Sequence, residues 1–180
     1  MEFYKLKNKF FVDEFIPTKL QTSYDLNEGG EFKGIKYYNV DLNDDSIWNF
    51  IPKKYHKDFY TSLMTINTEV PPHTDTSDKA VINIYIQPEN CVTEFYTFKS
   101  DTPETRQITN QTNGYLFDRK DLNINSIFCA EKNDVYILDV TKPHSVIPQE
   151  NFEERLIIQL ATSTYDFETV CNMLKETGNL

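Results

Sequence analysis

The feature that most constrains the fold is a series of short segments with β-type composition, which extends from residue 60 to residue 161 and is interrupted by turn-forming residues. The segments are rich in β-branched and aromatic residues and have the usual length of strands. We predict strands at 60–68, 80–86, 93–99, 106–111, 115–118, 124–130, 134–140, 145–147 and 155–161. Because no long helical pattern separates these strands, they favour an antiparallel sandwich or jelly roll over a βαβ protein.

The flanking regions add a few elements. Strands are predicted at 3–6, 10–15 and 35–40, with a turn at 27–30. Asp44 or Asp45 can cap a short helix that Pro52 ends. After residue 161 the apolar residues recur with helical spacing, between Asp166 as a cap and Gly178, so an amphipathic helix is expected to pack outside a sheet. The residues with this spacing are Phe167, Val170, Cys171 and Leu174.

Composition narrows the functional classes. The 180 residues predict one domain over 1–180 with a core at about 60–161, and a net charge of −10 argues against nonspecific nucleic-acid binding. Cys91, Cys129 and Cys171 lack the spacing of a disulfide framework or zinc knuckle. Without a signal peptide or membrane-length apolar run, we expect a soluble cytoplasmic protein with no membrane partner. The three arginines among 18 basic residues are typical of an AT-rich coding genome, such as that of a microbe or phage.

Two histidines and one aspartate are candidate metal ligands. His73 and Asp75 are two residues apart, so they share a face if the chain is extended there. His144 follows Pro143 at the start of a predicted strand. Two imidazoles and a carboxylate can hold non-haem Fe(II) and leave other positions open. Alternatively, the first pair belongs to an ordinary turn and His144 is a hydrogen-bonded histidine at a strand end.

Arg155 is the candidate anion-binding residue. It begins an apolar strand, where a buried cation needs an anion. A symmetric turn at 148–151 predicts that His144 lies directly opposite Arg155 in a hairpin, about 4.5–5.5 Å away between Cβ atoms. The anion is either the distal carboxylate of a bound dicarboxylic acid or the side chain of Glu153.

Taken together, these residues resemble the 2-oxoglutarate and Fe(II)-dependent oxygenases, particularly small prolyl-4-hydroxylase-like members of microbes and phages. The resemblance covers residues 64–161. Besides the four residues above, Thr93-Glu94-Phe95 resembles part of a G-G-x-T-x-F strand, and 134–140 resembles the strand before the second histidine. Cys91-Val92, Asn133 and Ile157 depart from the family pattern, the last because a hydroxyl residue is common at its position.

The resemblance implies a mainly β, double-stranded β-helix of the jelly-roll, cupin-like type, with a short N-terminal helix and a C-terminal helix outside. It implies His73, Asp75 and His144 as iron ligands and Arg155 as the group that binds the C5 carboxylate of 2-oxoglutarate. Because Ile157 cannot assist Arg155, another donor is expected to do so. The candidates are Tyr85, Asn83 and Tyr96.

The implied function is hydroxylation of a C–H bond, coupled to oxidative decarboxylation of 2-oxoglutarate. Its cofactors would be Fe(II) and 2-oxoglutarate, with O2 and a peptide side chain or small metabolite as substrates. Asn113-Gly114 predicts a hairpin turn within a substrate flap at 100–120, where Arg106, Arg119 and Lys120 can meet an acidic group. The alternatives are a cupin-like zinc hydrolase or isomerase and a catalytically inactive β-sandwich that serves as a binding module.

Overall fold

A computed structural model describes residues 1–11, 15–24, 34–42, 45–75, 77–88, 90–101, 105–107 and 114–180. Within this part the chain forms two antiparallel sheets. The first has seven strands, in the order β1 (Phe3–Lys5), β11 (Val135–Leu138), β6 (Ala80–Gln87), β13 (Arg155–Thr162), β4 (Tyr60–Ile66), β3 (Ile35–Leu42) and β2 (Phe15–Tyr24). The second has six, in the order β10 (Leu122–Phe128), β7 (Cys91–Phe98), β12 (His144–Pro148), β5 (Val70–Thr74), β9 (Tyr115–Phe117) and β8 (Thr105–Gln107).

The chain passes repeatedly from one sheet to the other, which is the arrangement of a double-stranded β-helix. The predicted jelly roll is therefore confirmed. Most predicted strands occur within a few residues of their expected bounds, because short runs of β-branched and aromatic residues between turn-forming residues are a strong signal of strands. No helix in the described part is both long and apolar enough to cross a membrane.

The seven-stranded sheet has different surroundings on its two faces. Along β13, Arg155, Ile157 and Gln159 face a cavity between the sheets, whereas Ile158 and Leu160 belong to an apolar core on the other face. This outer core includes two 3₁₀ helices, Asp45–Phe50 and Lys53–Asp58, and the C-terminal helix α1 (Phe167–Glu176).

Helix α1 confirms the C-terminal prediction. The Asp166 side chain caps its start by accepting a hydrogen bond of 2.9 Å from the Thr169 backbone N–H. Its buried residues are Val170, Cys171, Met173 and Leu174. The helix therefore covers the sheet with the face that the sequence pattern indicates.

Strand β5 was not predicted, because Pro71-Pro72 is typical of a loop. The structure aligns His73 with His144 and Val70 with Val146, so two residues of β5 lie opposite one residue of β12. This is a β-bulge, and a bulge is one of the few places where a sheet interior accepts proline. Because of the extra residue, Val70 and His73 both face the cavity although they are three positions apart.

The predicted hairpin of β12 and β13 is wrong. Strand β12 already has neighbours on both sides, β7 and β5, and the chain after residue 148 crosses to the other sheet. In that seven-stranded sheet, Arg155 is aligned with Ile66 of β4. In the six-stranded sheet, His144 is aligned with His73 and Phe95. His144 and Arg155 therefore approach each other from facing sheets and not as neighbours in one sheet.

Smaller differences concern the N-terminal half and the proposed flap. The first 3₁₀ helix begins at Asp45 and precedes Pro52 as predicted, but the second was not anticipated. Strands β8 and β9 pair at the edge of the six-stranded sheet. Residues 12–14, which fall in the predicted strand 10–15, lie outside the described residues, as do Asp44, the predicted turn at 27–30, and Asn113 of the other turn.

Candidate metal site and buried arginine

The structure brings together the three residues that the sequence suggests as metal ligands. His73 and His144 are aligned on neighbouring strands, with ring centroids 4.2 Å apart. Asp75 follows β5, and its backbone N–H donates a hydrogen bond of 2.9 Å to the Val140 carbonyl. Its Oδ1 lies 3.5 Å from Nε2 of His73. The candidate ligand atoms of these three residues all lie within 4.8 Å of one another.

Both imidazoles are oriented by the same local contact. Nδ1 of His73 lies 2.9 Å from the Pro71 carbonyl, and Nδ1 of His144 lies 2.9 Å from the Lys142 carbonyl. Since a carbonyl can only accept, each Nδ1 is the protonated nitrogen that donates. Each Nε2 consequently carries the lone pair. The ring of His144 also stacks on Phe95, with centroids 5.5 Å apart.

Burial keeps both histidines neutral. It lowers the pKa of His144 to about 4. The pKa of His73 lies well below its ordinary value, first because of burial and then because of the nearby His144. Neutral imidazole is the form that binds a metal ion.

The pKa of the Asp75 carboxyl group is shifted upwards, whereas the pKa values of the two histidines are lowered. Burial, and then the nearby charge of Asp78, raises the pKa of Asp75 to about 7. A cation beside Asp75 would favour its charged form. About a quarter of its side chain is exposed, so this side of the site faces solvent.

The donor set fits a divalent first-row transition metal. One candidate ligand atom from each of the three side chains lies within 4.8 Å of the other two, and each ring is fixed by a hydrogen bond from its Nδ1. His56, the third histidine of the chain, lies elsewhere and donates from Nε2 to the Ile51 carbonyl at 2.7 Å.

The same cavity contains Arg155. The cavity lies between the sheets, has a volume of about 60 Å³, and is lined by His73, Asp75 and His144 as well as by Arg155. Only 1% of Arg155 is exposed. Its Nη2 donates a hydrogen bond of 3.0 Å to the Thr93 hydroxyl, and its Cζ lies 4.7 Å from the centroid of the Tyr85 ring.

No carboxylate among the described residues forms an ion pair with Arg155, and its Nε has no hydrogen-bond partner there. Glu153, the alternative partner, is exposed and lines a different pocket. A buried guanidinium without a counterion is costly unless an anion is supplied. Within the described part of the chain, the positive charge of Arg155 is therefore not neutralised by a side chain, and a bound anion could neutralise it.

Two of the three candidate helpers of Arg155 lie in the cavity and one does not. Tyr85 contacts the guanidinium, and Asn83 donates from Nδ2 to the Tyr85 hydroxyl at 3.4 Å. Burial raises the pKa of Tyr85, which therefore keeps its proton. Tyr96 points to the opposite face of β7, where its hydroxyl contacts Ser145.

Sequence reasoning missed Thr93 as the direct partner of Arg155. Thr93 was noted only as part of a strand motif, because its contact with Arg155 joins two sheets across 62 positions of sequence. The signal was the missing hydroxyl at Ile157, since Thr93 supplies a hydroxyl to the same guanidinium from another strand.

The basic residues of the predicted flap have other roles where they are described. Arg119 forms ion pairs with Glu69 at 2.6 Å and Glu94 at 3.3 Å. Lys120 pairs with Asp118 at 3.1 Å. The side chain of Arg106 lies outside the described part.

No protein-family model matches the sequence, and no curated protein matches it. Solved structures show low similarity. The vicilin of hazelnut (Corylus avellana) is 11% identical, with a TM-score of 0.43, over 81% of this chain and 31% of its own. The hydroquinone 1,2-dioxygenase PnpCD, solved with Cd²⁺ and 4-hydroxybenzonitrile, is 12% identical over 58% of each chain, with a TM-score of 0.39.

A Bacillus subtilis oxalate decarboxylase, whose structure is described with Mn(II) centres, is 15% identical, with a TM-score of 0.37, over 75% of this chain and 27% of its own. The present chain therefore spans less than two thirds of each of these proteins: 31% of the vicilin, 58% of the hydroquinone dioxygenase chain and 27% of the oxalate decarboxylase.

Proposed function

We propose that this protein is a non-haem Fe(II) oxygenase that uses 2-oxoglutarate. The observation that carries the proposal is that Arg155, buried and without a carboxylate partner among the described residues, lies in the same cavity as the His73, Asp75 and His144 cluster. A zinc hydrolase or isomerase can use the cluster but has no evident need of this cation. A short dicarboxylic acid, by contrast, can contact the metal ion with one end and Arg155 with the other.

The separation of the two ends suits such an acid. On β7, Thr93 lies two residues from Phe95, and Phe95 is aligned with His144. Two residues of strand correspond to about 6.6–6.8 Å. The hydroxyl that contacts Arg155 is therefore one inward-facing position away from the histidines, a distance that the carbon chain of 2-oxoglutarate can span.

Arg155 would bind the C5 carboxylate of 2-oxoglutarate. Its Nε is available to donate, and guanidinium groups bind carboxylates through two parallel hydrogen bonds. The hydroxyl groups of Thr93 and Tyr85 lie beside it as further donors. Burial among apolar residues such as Ile66, Val146 and Ile157 excludes water and strengthens these contacts.

His73, Asp75 and His144 would hold the metal ion on one side, which leaves other positions open towards the cavity. When bound, Fe(II) and 2-oxoglutarate supply reduction of O2, with 2-oxoglutarate converted to succinate and CO2 and a substrate C–H bond converted to C–OH. The contribution of the protein is to fix the imidazoles through their Nδ1 contacts and to orient the acid through Arg155.

We propose a peptide side chain or a small metabolite as the substrate that is hydroxylated. The net charge of −10 disfavours attraction to a phosphate backbone.

Calorimetry with the Fe(II)-loaded protein, under anaerobic conditions, tests the proposal. We expect 2-oxoglutarate to bind only when the metal is present and to release succinate when O2 is admitted. Arg155→Lys should retain iron and bind 2-oxoglutarate at least tenfold more weakly, because it keeps the charge and loses the planar fork. Glu153→Gln is the matched control and should bind like the wild type.

Absence of metal-dependent 2-oxoglutarate binding in the wild type would refute the proposed function. Equal affinity of the wild type and Arg155→Lys for 2-oxoglutarate would show that Arg155 does not bind this acid. Tighter 2-oxoglutarate binding in Glu153→Gln would instead indicate that the Glu153 carboxylate competes for Arg155.

A further inference from the structure

The strand that carries His73 is weakly attached through its backbone. Strand β5 has two aligned residue pairs with β12 and two with β9, and its two prolines offer no N–H. By contrast, β12 is aligned with β7 over five consecutive pairs. The backbone therefore fixes His144 firmly to β7, whereas the position of His73 relative to His144 depends on fewer contacts.

A polar network covers the opposite face of these strands. Tyr96 and Ser145 are buried, at 4% and 0% exposure, and their hydroxyl oxygens lie 2.7 Å apart. The Tyr96 hydroxyl also donates to the Glu94 carboxylate. Ser145 directly follows His144, and Glu94 and Tyr96 flank Phe95, which is aligned with His144. The network therefore lies directly behind the histidine of β12.

Arg119 connects this network to the start of β5. Its Nη1 donates to the Tyr96 hydroxyl at 2.7 Å and to Glu94 at 3.3 Å. Its Nη2 donates to Glu69 at 2.6 Å, and Glu69 immediately precedes β5. Because β12 lies between β7 and β5, the guanidinium bridges across the strand of His144 to the strand of His73.

We propose that Arg119 is a positioning residue that holds β5 against β12 from outside the cavity and thereby sets the spacing of His73 and His144. Its contacts supply the cross-strand connection that Pro71 and Pro72 cannot make. Arg119 is not among the residues that line the cavity, so its effect would reach the site through Tyr96, Ser145 and Glu69. The inference concerns the metal site on which the proposed function rests.

Co²⁺ binding provides the test, because its visible absorption reports the geometry of the ligands. Arg119→Met should bind Co²⁺ about tenfold more weakly than the wild type and with an altered spectrum, as expected when a group that orients a ligand is lost. Lys120→Met is the matched control, since Lys120 is in the same turn but pairs with Asp118. Arg119→Lys should recover only part of the affinity, because an ammonium cannot bridge Tyr96 and Glu69 as a planar guanidinium does.

Hydrogen exchange of the metal-free proteins gives a second readout. In Arg119→Met, backbone amides of β5 should exchange faster, while those of β4 and β13 remain as in the wild type. Unchanged Co²⁺ affinity would overturn the proposal, and so would unchanged exchange of β5. So would faster exchange throughout both sheets, since Arg119 would then support the fold in general.

The outcomes also separate this proposal from the proposed function. If wild-type protein binds neither Co²⁺ nor Fe²⁺, the metal site is refuted, and with it the role of Arg119 in setting that site. If the wild type binds and Arg119→Met binds equally well, only the role of Arg119 is refuted.

Discussion

The two ends of the cavity are constructed in different ways. Arg155 lies on β13, which is aligned with β4 over seven consecutive residue pairs, so the backbone ladder defines its position. His73 lies on a bulged strand with few aligned pairs, and side-chain contacts contribute much of its support. The difference indicates that a regular sheet positions the end of the cavity that contains Arg155, whereas the end with the candidate metal ligands depends more on local contacts.

The largest expected effect is on metal affinity and comes from removing one of the candidate metal ligands. His144→Ala should weaken binding of Fe²⁺ or Co²⁺ at least about a hundredfold, because two donors remain and removal of even an indirect support costs about 10–100-fold. Metal content after dialysis measures the loss. His56→Ala is the control, since His56 is outside the cluster. Metal retention in His144→Ala equal to that in His56→Ala would contradict the assignment.

Removal of the Arg155 cation at the other end should weaken 2-oxoglutarate binding and leave metal binding unchanged. Arg155→Met loses two charge-assisted hydrogen bonds of roughly 1.5–3 kcal/mol each, so 2-oxoglutarate affinity should fall at least about a hundredfold. The metal-free protein should become more stable by about 1–2 kcal/mol in urea unfolding, because an active site often destabilises the fold. A large loss of stability would mean that Arg155 has a counterion in solution.

The metal end should depend on pH through Asp75. Its raised pKa of about 7 means that the metal-free protein holds a proton there at lower pH, which must leave before the carboxylate binds a cation. Metal affinity should therefore fall about tenfold per pH unit from pH 7 down to about pH 5, and level off above 7. The pKa of His144, about 4, lies below this range, and burial also lowers the pKa of His73.

Asp78→Asn sharpens the pH prediction, because it removes the neighbouring charge that helps raise the pKa of Asp75. The midpoint of metal binding should move to lower pH in this variant. Competition titrations with a chelator at several pH values measure both proteins. A flat profile in the wild type would show that Asp75 is not a ligand.

The smallest expected effect concerns Thr93. Thr93→Val keeps the shape of the side chain and removes the hydroxyl that contacts Arg155. One hydrogen bond contributes about 0.5–1.5 kcal/mol, so 2-oxoglutarate affinity should fall by about 2- to 13-fold while metal affinity is unchanged. Thr97→Val, a substitution farther along β7, is a suitable control for calorimetry. An equal loss in both variants would count against a specific role for Thr93.

The positions of the strands and helices along the chain were predicted better from the sequence than the order of the strands in the sheets. Runs of β-branched and aromatic residues between turn residues located most strands, and the apolar spacing in 166–178 located the helix, because these signals are local. The approach of His144 to Arg155 was predicted for the wrong reason: the sequence suggested a hairpin, whereas facing sheets bring them together. Sheet assignment depends on which strand edges are already occupied, and a single turn carries no information about that.

The same limit explains what was missed at the site. His73 and Asp75 were predicted to share a face because they are two residues apart, but β5 itself was not predicted because its prolines obscured the strand. Thr93 and Arg119 act across strands that are distant in sequence. Their partners follow from the tertiary fold and cannot be inferred from neighbouring residues.

The bulge at Pro71 and Pro72 has a consequence for how the metal site is encoded. In a regular strand, an odd number of steps sends two side chains to opposite sides, and Val70 and His73 are separated by three. One additional residue reverses this parity, so both point inward. The residue count of β5 therefore matters to the candidate metal site as directly as the identity of His73, and an alignment that shifted this strand by one position would turn the imidazole away from the cavity.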